Sequence, residues 1–178
     1  VAKDIASVDG MELTSWNHAL LGAEAWEIPT HNTQVLRAGQ AEGRLYGGCL
    51  SLIAASLGTD FEAQTDGAIL FLEDIAEKPY RIDRMLMQLR LAGKLDHVRA
   101  IVFGEMTDCV PPGSPDYTLQ DVILRVLHDF QGPIVYGLSS GHAKDHNITL
   151  PLGVHAELTA NTTGVKLRIT EAATECTS

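Results

Sequence analysis

The sequence is poor in several features that would have placed it quickly. It holds three cysteines, Cys49, Cys109 and Cys176. They are far apart and form no Cys-x-x-Cys pair, which argues against a disulfide framework or a zinc ribbon and for reduced thiols in a cytoplasmic protein. Long apolar runs are missing: a stretch such as Ala68–Leu72 falls far short of the ~20 residues of a membrane helix. Basic charge is scarce, with 13 Lys and Arg against 23 Asp and Glu and a net charge of −10. No basic stripe runs along the chain, so a nucleic-acid backbone is not an expected partner. The given residues show no basic leader followed by an apolar segment, so no secretory signal is expected. There is no Walker motif and no Gly-x-Gly-x-x-Gly, so no nucleotide cofactor is expected. The chain opens Val1-Ala-Lys-Asp rather than on Met, and the expectation is a processed start or a piece of something longer.

What is present is a core. The 178 residues are 45% hydrophobic, enough for one compact domain. Leu13, Trp16 and Leu20 predict a helix over 13–21. Residues 27–40 read as a polar linker that turns into a strand near Val35–Leu36. Leu50, Ile53, Ala54 and Leu57 fall at helical spacing, as do Ile82, Met85, Leu86 and Leu89. Gly58 and Gly93 supply the stops. Leu119 to Phe130 has the cleanest amphipathic pattern. Ala68–Leu72, Ala100–Phe103 and Ile134–Tyr136 read as buried strands. Met106–Asp116 and Gly137–Asn147 read as loops. Val154–Leu158 and Val165–Ile169 alternate about a turn and predict a hairpin; the tail from Glu171 is expected to fray. The order predicts an α/β domain with a mixed sheet.

Three places could carry chemistry. Glu73 and Asp74 end a buried strand, where side chains of α/β domains reach a crevice. Either carboxylate could orient a histidine, or simply pair with Arg81 or Arg84. His142 and His146 lie in the glycine-bearing loop. They are four positions apart, but the surroundings are not helical and no Glu follows the first, so no metal site is expected. Gly137-Leu-Ser139-Ser-Gly141 matches Gly-x-Ser-x-Gly literally. A nucleophile elbow must lead into a helix, however, and this one does not, so Ser139 reads as a turn residue. His128, beside Phe130, reads as structural.

These residues carry a resemblance. Gly43-Arg-Leu-Tyr-Gly-Gly-Cys-Leu50 followed by Leu57-Gly-Thr59 resembles a block of the LD-carboxypeptidases. Ile69-Leu-Phe-Leu-Glu73-Asp74, with Tyr80-Arg-Ile-Asp-Arg84-Met-Leu86 and Gln88, is similar to their block around a triad glutamate. Ile101–Gly104, Gly141-His142 and Asn147-x-x-Leu-Pro-Leu-Gly153 resemble the blocks that follow. The likeness runs from Val1 to about Leu158 and implies a cytosolic serine peptidase with a Ser-Glu-His triad, in which Glu73 is the acid and His142 the general base. It implies removal of the terminal D-alanine from a murein tetrapeptide, across an L,D bond, in cell-wall recycling. It further implies a swivelling β/β/α domain and a homodimer. The serine and the oxyanion donors of the family lie on an N-terminal nucleophile domain before the matched region, so the chain by itself is expected to be inactive. Residues 1–40 are then the end of that domain and an interdomain linker, 41–170 the C-terminal domain, and 171–178 a tail. Trp16 and Trp26 are expected to pack against the missing half. The resemblance leaves open a microcin C-type immunity peptidase, and the loss of the serine half leaves open a non-catalytic dimerisation or peptide-binding module.

Overall fold

A computed structural model describes residues 10–22, 25–110, 118–143 and 145–174; Cys176 and the end of the tail lie outside them, as does most of the loop after Val110. The elements run α1 Leu13–Leu20, β1 Trp26–Ile28, β2 Gln34–Arg37, β3 Gly39–Cys49, α2 Leu50–Ser56, β4 Ile69–Ile75, α3 Pro79–Leu91, β5 Ala100–Thr107, α4 Leu119–Val126, β6 Ile134–Leu138, β7 His155–Asn161 and β8 Gly164–Ile169. The eight strands form a mixed sheet in the order β1-β8-β7-β3-β4-β5-β6-β2.

Strand β3 joins two layers. Gly39–Arg44 pairs antiparallel with β7, while Leu45–Cys49 pairs parallel with β4. In the parallel part, β3-β4-β5-β6, the strands β4, β5 and β6 read as apolar runs. Such strands need cover on both faces. One face carries Leu70, Leu72, Ile101, Phe103 and Ile134, packed with Leu50, Ile53, Ile82, Leu86, Leu89, Val122 and Ile123 of the three central helices. The other carries Ile69, Phe71, Ala100, Val102 and Val135, packed with Trp26, Ile28, Ala156, Leu158, Leu167 and Ile169 of the antiparallel layer. Helices, parallel sheet and antiparallel sheet thus make the three layers of a β/β/α domain.

The helix ends follow from local chemistry. The Glu12 carboxylate accepts from the Thr14 and Ser15 N–H groups at 3.0 and 2.6 Å and caps α1. Pro79 opens α3, where its missing N–H costs nothing. Thr118 and Asp121 form a capping box on α4. Helix α2 has no cap from its own N-cap side chain.

Five expectations are corrected. The start of the stretch read as linker is an edge strand, β1, in the antiparallel layer, while the strand expected near Val35–Leu36 is β2, the edge strand beside β6. In β1 the exposed Glu27 lies between buried Trp26 and Ile28, so one side of the strand stays open. Strand β5 runs on to Thr107, through the start of the predicted loop. Helix α4 stops at Val126, short of Phe130, with Leu127 as its C-cap. Trp26 is 8% exposed and belongs to the core between the sheets, so it has no face left for another domain. The described part of the tail is tied down: Glu171 pairs with Arg44 at 3.2 Å, and the Thr174 hydroxyl donates to the Leu20 carbonyl at 3.1 Å.

Candidate active site

The side-chain period of β4 sorts its last residues. Ile69 and Phe71 face the antiparallel layer, and Leu70 and Leu72 face the helices. The alternation carries Glu73 to the first side and Asp74 to the second. The pairing with β5 shifts register here, from Leu72 opposite Phe103 to Asp74 opposite Met106, so the extra residue lies on β5.

Asp74 is 3% exposed. Its Oδ2 accepts from the Ser51 N–H at 2.9 Å and its Oδ1 from the Ile75 N–H at 2.9 Å. It is the missing cap of α2, delivered from the neighbouring strand. Neither carboxylate takes the arginine partner that was one expectation. Arg81 pairs with Glu77 at 2.7 Å, and the Arg84 guanidinium lies 5.0 Å from the Tyr80 ring centre. Removing the Asp74 carboxylate leaves orphan N–H groups beside a buried helix start. Asp74→Ala in the whole protein is expected to cost about 1–3 kcal/mol in urea unfolding; an unchanged midpoint would contradict the capping role.

Glu73 is buried, and a buried carboxylate must find donors. Both come from one residue. The Glu73 Oε2 accepts from His142 Nδ1 at 2.7 Å and from the His142 backbone N–H at 3.2 Å. The two residues are 69 apart in sequence. The carboxylate side chain is 7% exposed and the imidazole 48%. With Nδ1 turned to the buried acid, the Nε2 edge faces outward. Donation from Nδ1 leaves the Nε2 lone pair free in the neutral ring, which is the arrangement of a general base.

The loop that carries His142 is braced along its length. The Ile148 N–H donates to the Ser139 carbonyl at 2.7 Å, and the buried Ser140 hydroxyl donates to the Ile148 carbonyl at 2.9 Å. Asn147 Nδ2 donates to the Gly141 carbonyl at 2.9 Å, and its backbone bridges to Met11. The Thr107 hydroxyl, from the end of β5, donates to the His142 carbonyl at 2.9 Å. Gly141 has φ +102°, a region open to glycine. A Cβ there would lie 2.5 Å from Glu73 Cγ and 2.6 Å from its Oε2. A Cβ on Gly104 would meet the Ser140 carbonyl at 2.6 Å. Both glycines let the loop lie directly on the strand ends.

A cavity of about 240 Å³ adjoins the pair, lined by Trp16, Phe71, Glu73, Gly141, Asn147 and Leu150 among others. His146 is turned away from this side. It lines a separate depression with His31, Asn32, Glu105 and Ser139. Among the described residues no group of three or more His, Cys, Asp and Glu is placed to hold a metal ion. Ser139 is followed by loop and not by a helix. His128 Nδ1 lies 3.1 Å from the Arg125 carbonyl, at the end of α4. Burial pushes the Cys109 thiol up, helped by the nearby Asp74 and Glu77 charges, and lifts the Tyr136 hydroxyl to about 12. Neither ionises near neutral pH, so neither is a competing nucleophile or acid. Cys49 and Cys109 are both free thiols.

The sequence reading singled out Glu73 and His142 but not Thr107, Ser140 or Asn147. Asn147 lay inside a block already quoted. Ser140 and Thr107 carried no signal, because their partners are backbone carbonyls that no spacing rule identifies.

The profile of the LD-carboxypeptidase C-terminal domain matches residues 42–158. The chain is 41% identical over 129 residues to a probable murein peptide carboxypeptidase of Bacillus subtilis (strain 168), covering 71% of this chain and 40% of that protein. It is 30% identical over 146 residues to the microcin C7 self-immunity protein MccF of Escherichia coli, covering 80% of this chain and 41% of that one. Among solved structures it resembles a muramoyltetrapeptide carboxypeptidase from Oxalobacter formigenes, with TM-score 0.78 and 30% identity over 93% of this chain and 56% of that one. The chain therefore spans about half or less of the length of these relatives. No helix among the described residues is long and apolar enough to cross a membrane.

Proposed function

The chain belongs to the LD-carboxypeptidase family, whose C-terminal domain it matches, and from that premise we propose that Glu73 and His142 are the acid and the general base of a Ser-Glu-His triad. The observation that carries this reading is the 2.7 Å contact between the buried Glu73 carboxylate and Nδ1 of a half-exposed His142. The proposed whole enzyme is a serine-type carboxypeptidase that releases the terminal D-alanine of a murein tetrapeptide. Names of relatives support the substrate: a murein tetrapeptide carboxypeptidase of Pseudomonas aeruginosa is 34% identical over 124 residues.

The steps follow from the geometry. The serine hydroxyl comes from the nucleophile domain that the family resemblance implies, with residues 1–40 leading from it and 41–170 forming the domain that carries Glu73 and His142. His142 Nε2 takes the hydroxyl proton as the oxygen attacks the carbonyl of the L,D bond. Glu73 holds the Nδ1 proton in place and stabilises the imidazolium. His142 then returns its proton to the amine of the departing D-alanine. Water attacks the acyl-enzyme with the same histidine as base. No cofactor enters these steps. We place the enzyme in the cytoplasm, in keeping with the free thiols of Cys49 and Cys109, and as a homodimer on the strength of the family resemblance.

Residues 1–178 alone are expected to release no measurable D-alanine, because the nucleophile and oxyanion donors are supplied elsewhere. Turnover by the purified fragment would overturn that division of labour. The likeness to MccF favours a second reading, an immunity peptidase acting on a peptide-nucleotide. Assaying the whole protein on a murein tetrapeptide and on a peptidyl nucleotide decides between the two; preference for the nucleotide substrate rejects the murein assignment.

A further inference from the structure

We propose that Thr107 is a positioning residue for the His142 base. This rests on the reading of Glu73 and His142 as triad members. The imidazole is held by two different kinds of constraint. Glu73 Oε2 receives both the Nδ1–H and the backbone N–H of His142, which sets the tautomer, the ring plane and the peptide on the N-terminal side. It does nothing for the peptide on the C-terminal side. That peptide leads into a stretch where His146 has φ +50°, a strained value for a non-glycine residue. Rotation about the His142 backbone would swing Nε2 along an arc while Nδ1 stayed near its acid. The Thr107 hydroxyl closes this freedom by donating to the His142 carbonyl at 2.9 Å.

Thr107 is well placed for the task because it is itself fixed. It is the last residue of β5, it pairs with Ile75 of β4, and its carbonyl accepts from the Ala76 N–H at 2.8 Å. Ile75 and Ala76 follow directly on the Glu73-Asp74 pair. The same strand junction therefore anchors the acid on one side and, through Thr107, the base on the other. Thr107 is 9% exposed, so its hydroxyl has little water to bond instead. The residue right after it, Asp108, has φ +55°, so the chain turns away immediately beyond the hydroxyl. Asn147 braces the preceding carbonyl, that of Gly141. The carbonyls on both sides of the His142 unit are thus occupied, one by Asn147 at the far end of the same loop and one by Thr107 from the end of β5.

The test uses the whole enzyme and three kinds of variant. Thr107→Val keeps the shape and removes the donor; Thr107→Ser keeps the donor. Thr107→Val is expected to lower kcat about 10-fold or more with KM little changed, since a small displacement of a base is costly in rate. It is also expected to move the limb of the kcat/KM pH profile that reports the histidine, while Thr107→Ser stays near the parent in both. A Thr107→Val enzyme with parental kcat and pH profile overturns the proposal. So does a Thr107→Ser enzyme as impaired as Thr107→Val, since that loss would come from packing and not from the hydroxyl. His142→Ala is run alongside. If it abolishes turnover while Thr107→Val changes nothing, only the positioning role fails; if it retains turnover, the triad reading fails first.

Discussion

Tetrapeptide cleavage by the whole enzyme is expected to fall about 10⁴-fold when His142 is replaced by alanine, and by a comparable factor for Glu73→Gln. Alanine leaves no acceptor for the serine proton and no donor for the leaving amine. Glutamine is nearly isosteric and can still accept from His142, but it carries no charge to balance the imidazolium. Because Glu73 Oε2 serves both His142 donors, glutamine must present its carbonyl to both, or place its own amide donor against Nδ1 and invert the tautomer. Either way the rate falls in kcat more than in KM. The D-alanine released per enzyme, read with each variant at saturating tetrapeptide, checks the prediction. Near-parental cleavage by either variant would sink the assignment of both residues.

The second large effect is expected at a residue with no chemistry of its own. Gly141→Ala should lower kcat about 100-fold, because the added carbon lands on the acid. The Cβ would sit 2.5 Å from Glu73 Cγ and 2.6 Å from Oε2, well inside van der Waals contact. Glu73 is buried and cannot withdraw, so the loop must lift, and His142 lifts with it. Displacing a reacting group by about 1 Å can by itself cost about 10²-fold. The backbone adds strain, since φ +102° suits glycine and costs another residue about 1–3 kcal/mol. Melting temperature and kcat measured together separate the two parts. A Gly141→Ala enzyme with parental kcat would mean that the acid and the loop are not held in contact during turnover.

Much of the layout was legible because it is local. Helical spacing marked the helices, and their breakers marked the ends to within a few residues. Apolar runs marked β4, β5 and β6. Of the edge strands, β2 was read near Val35–Leu36 but β1 was not legible, since a short strand with one open face has a mixed pattern and draws its stability from neighbours far along the chain. Trp26 shows the same limit. Its place in a polar stretch suggested an exposed contact residue, while pairing of β1 with β8 buries it. The arginine partners offered for Glu73 or Asp74 failed for a related reason. Sequence proximity to Arg81 and Arg84 counted for less than the direction in which a strand points its side chains.

By itself the sequence determined the class of the domain, the likeness to the LD-carboxypeptidases, and the identity of Glu73 and His142 as the residues to watch. Residue types, breakers and motif spacing are properties of a string. Tertiary structure decided which of two adjacent carboxylates meets the histidine. The alternation of β4 sends Glu73 and Asp74 to opposite faces, but nothing local says which face will be covered by helices and which by the His142 loop. That choice is made when β3 divides its pairing between β7 and β4 and the layers close. Asp74 then becomes a helix cap, and Glu73 the partner of a histidine 69 residues away.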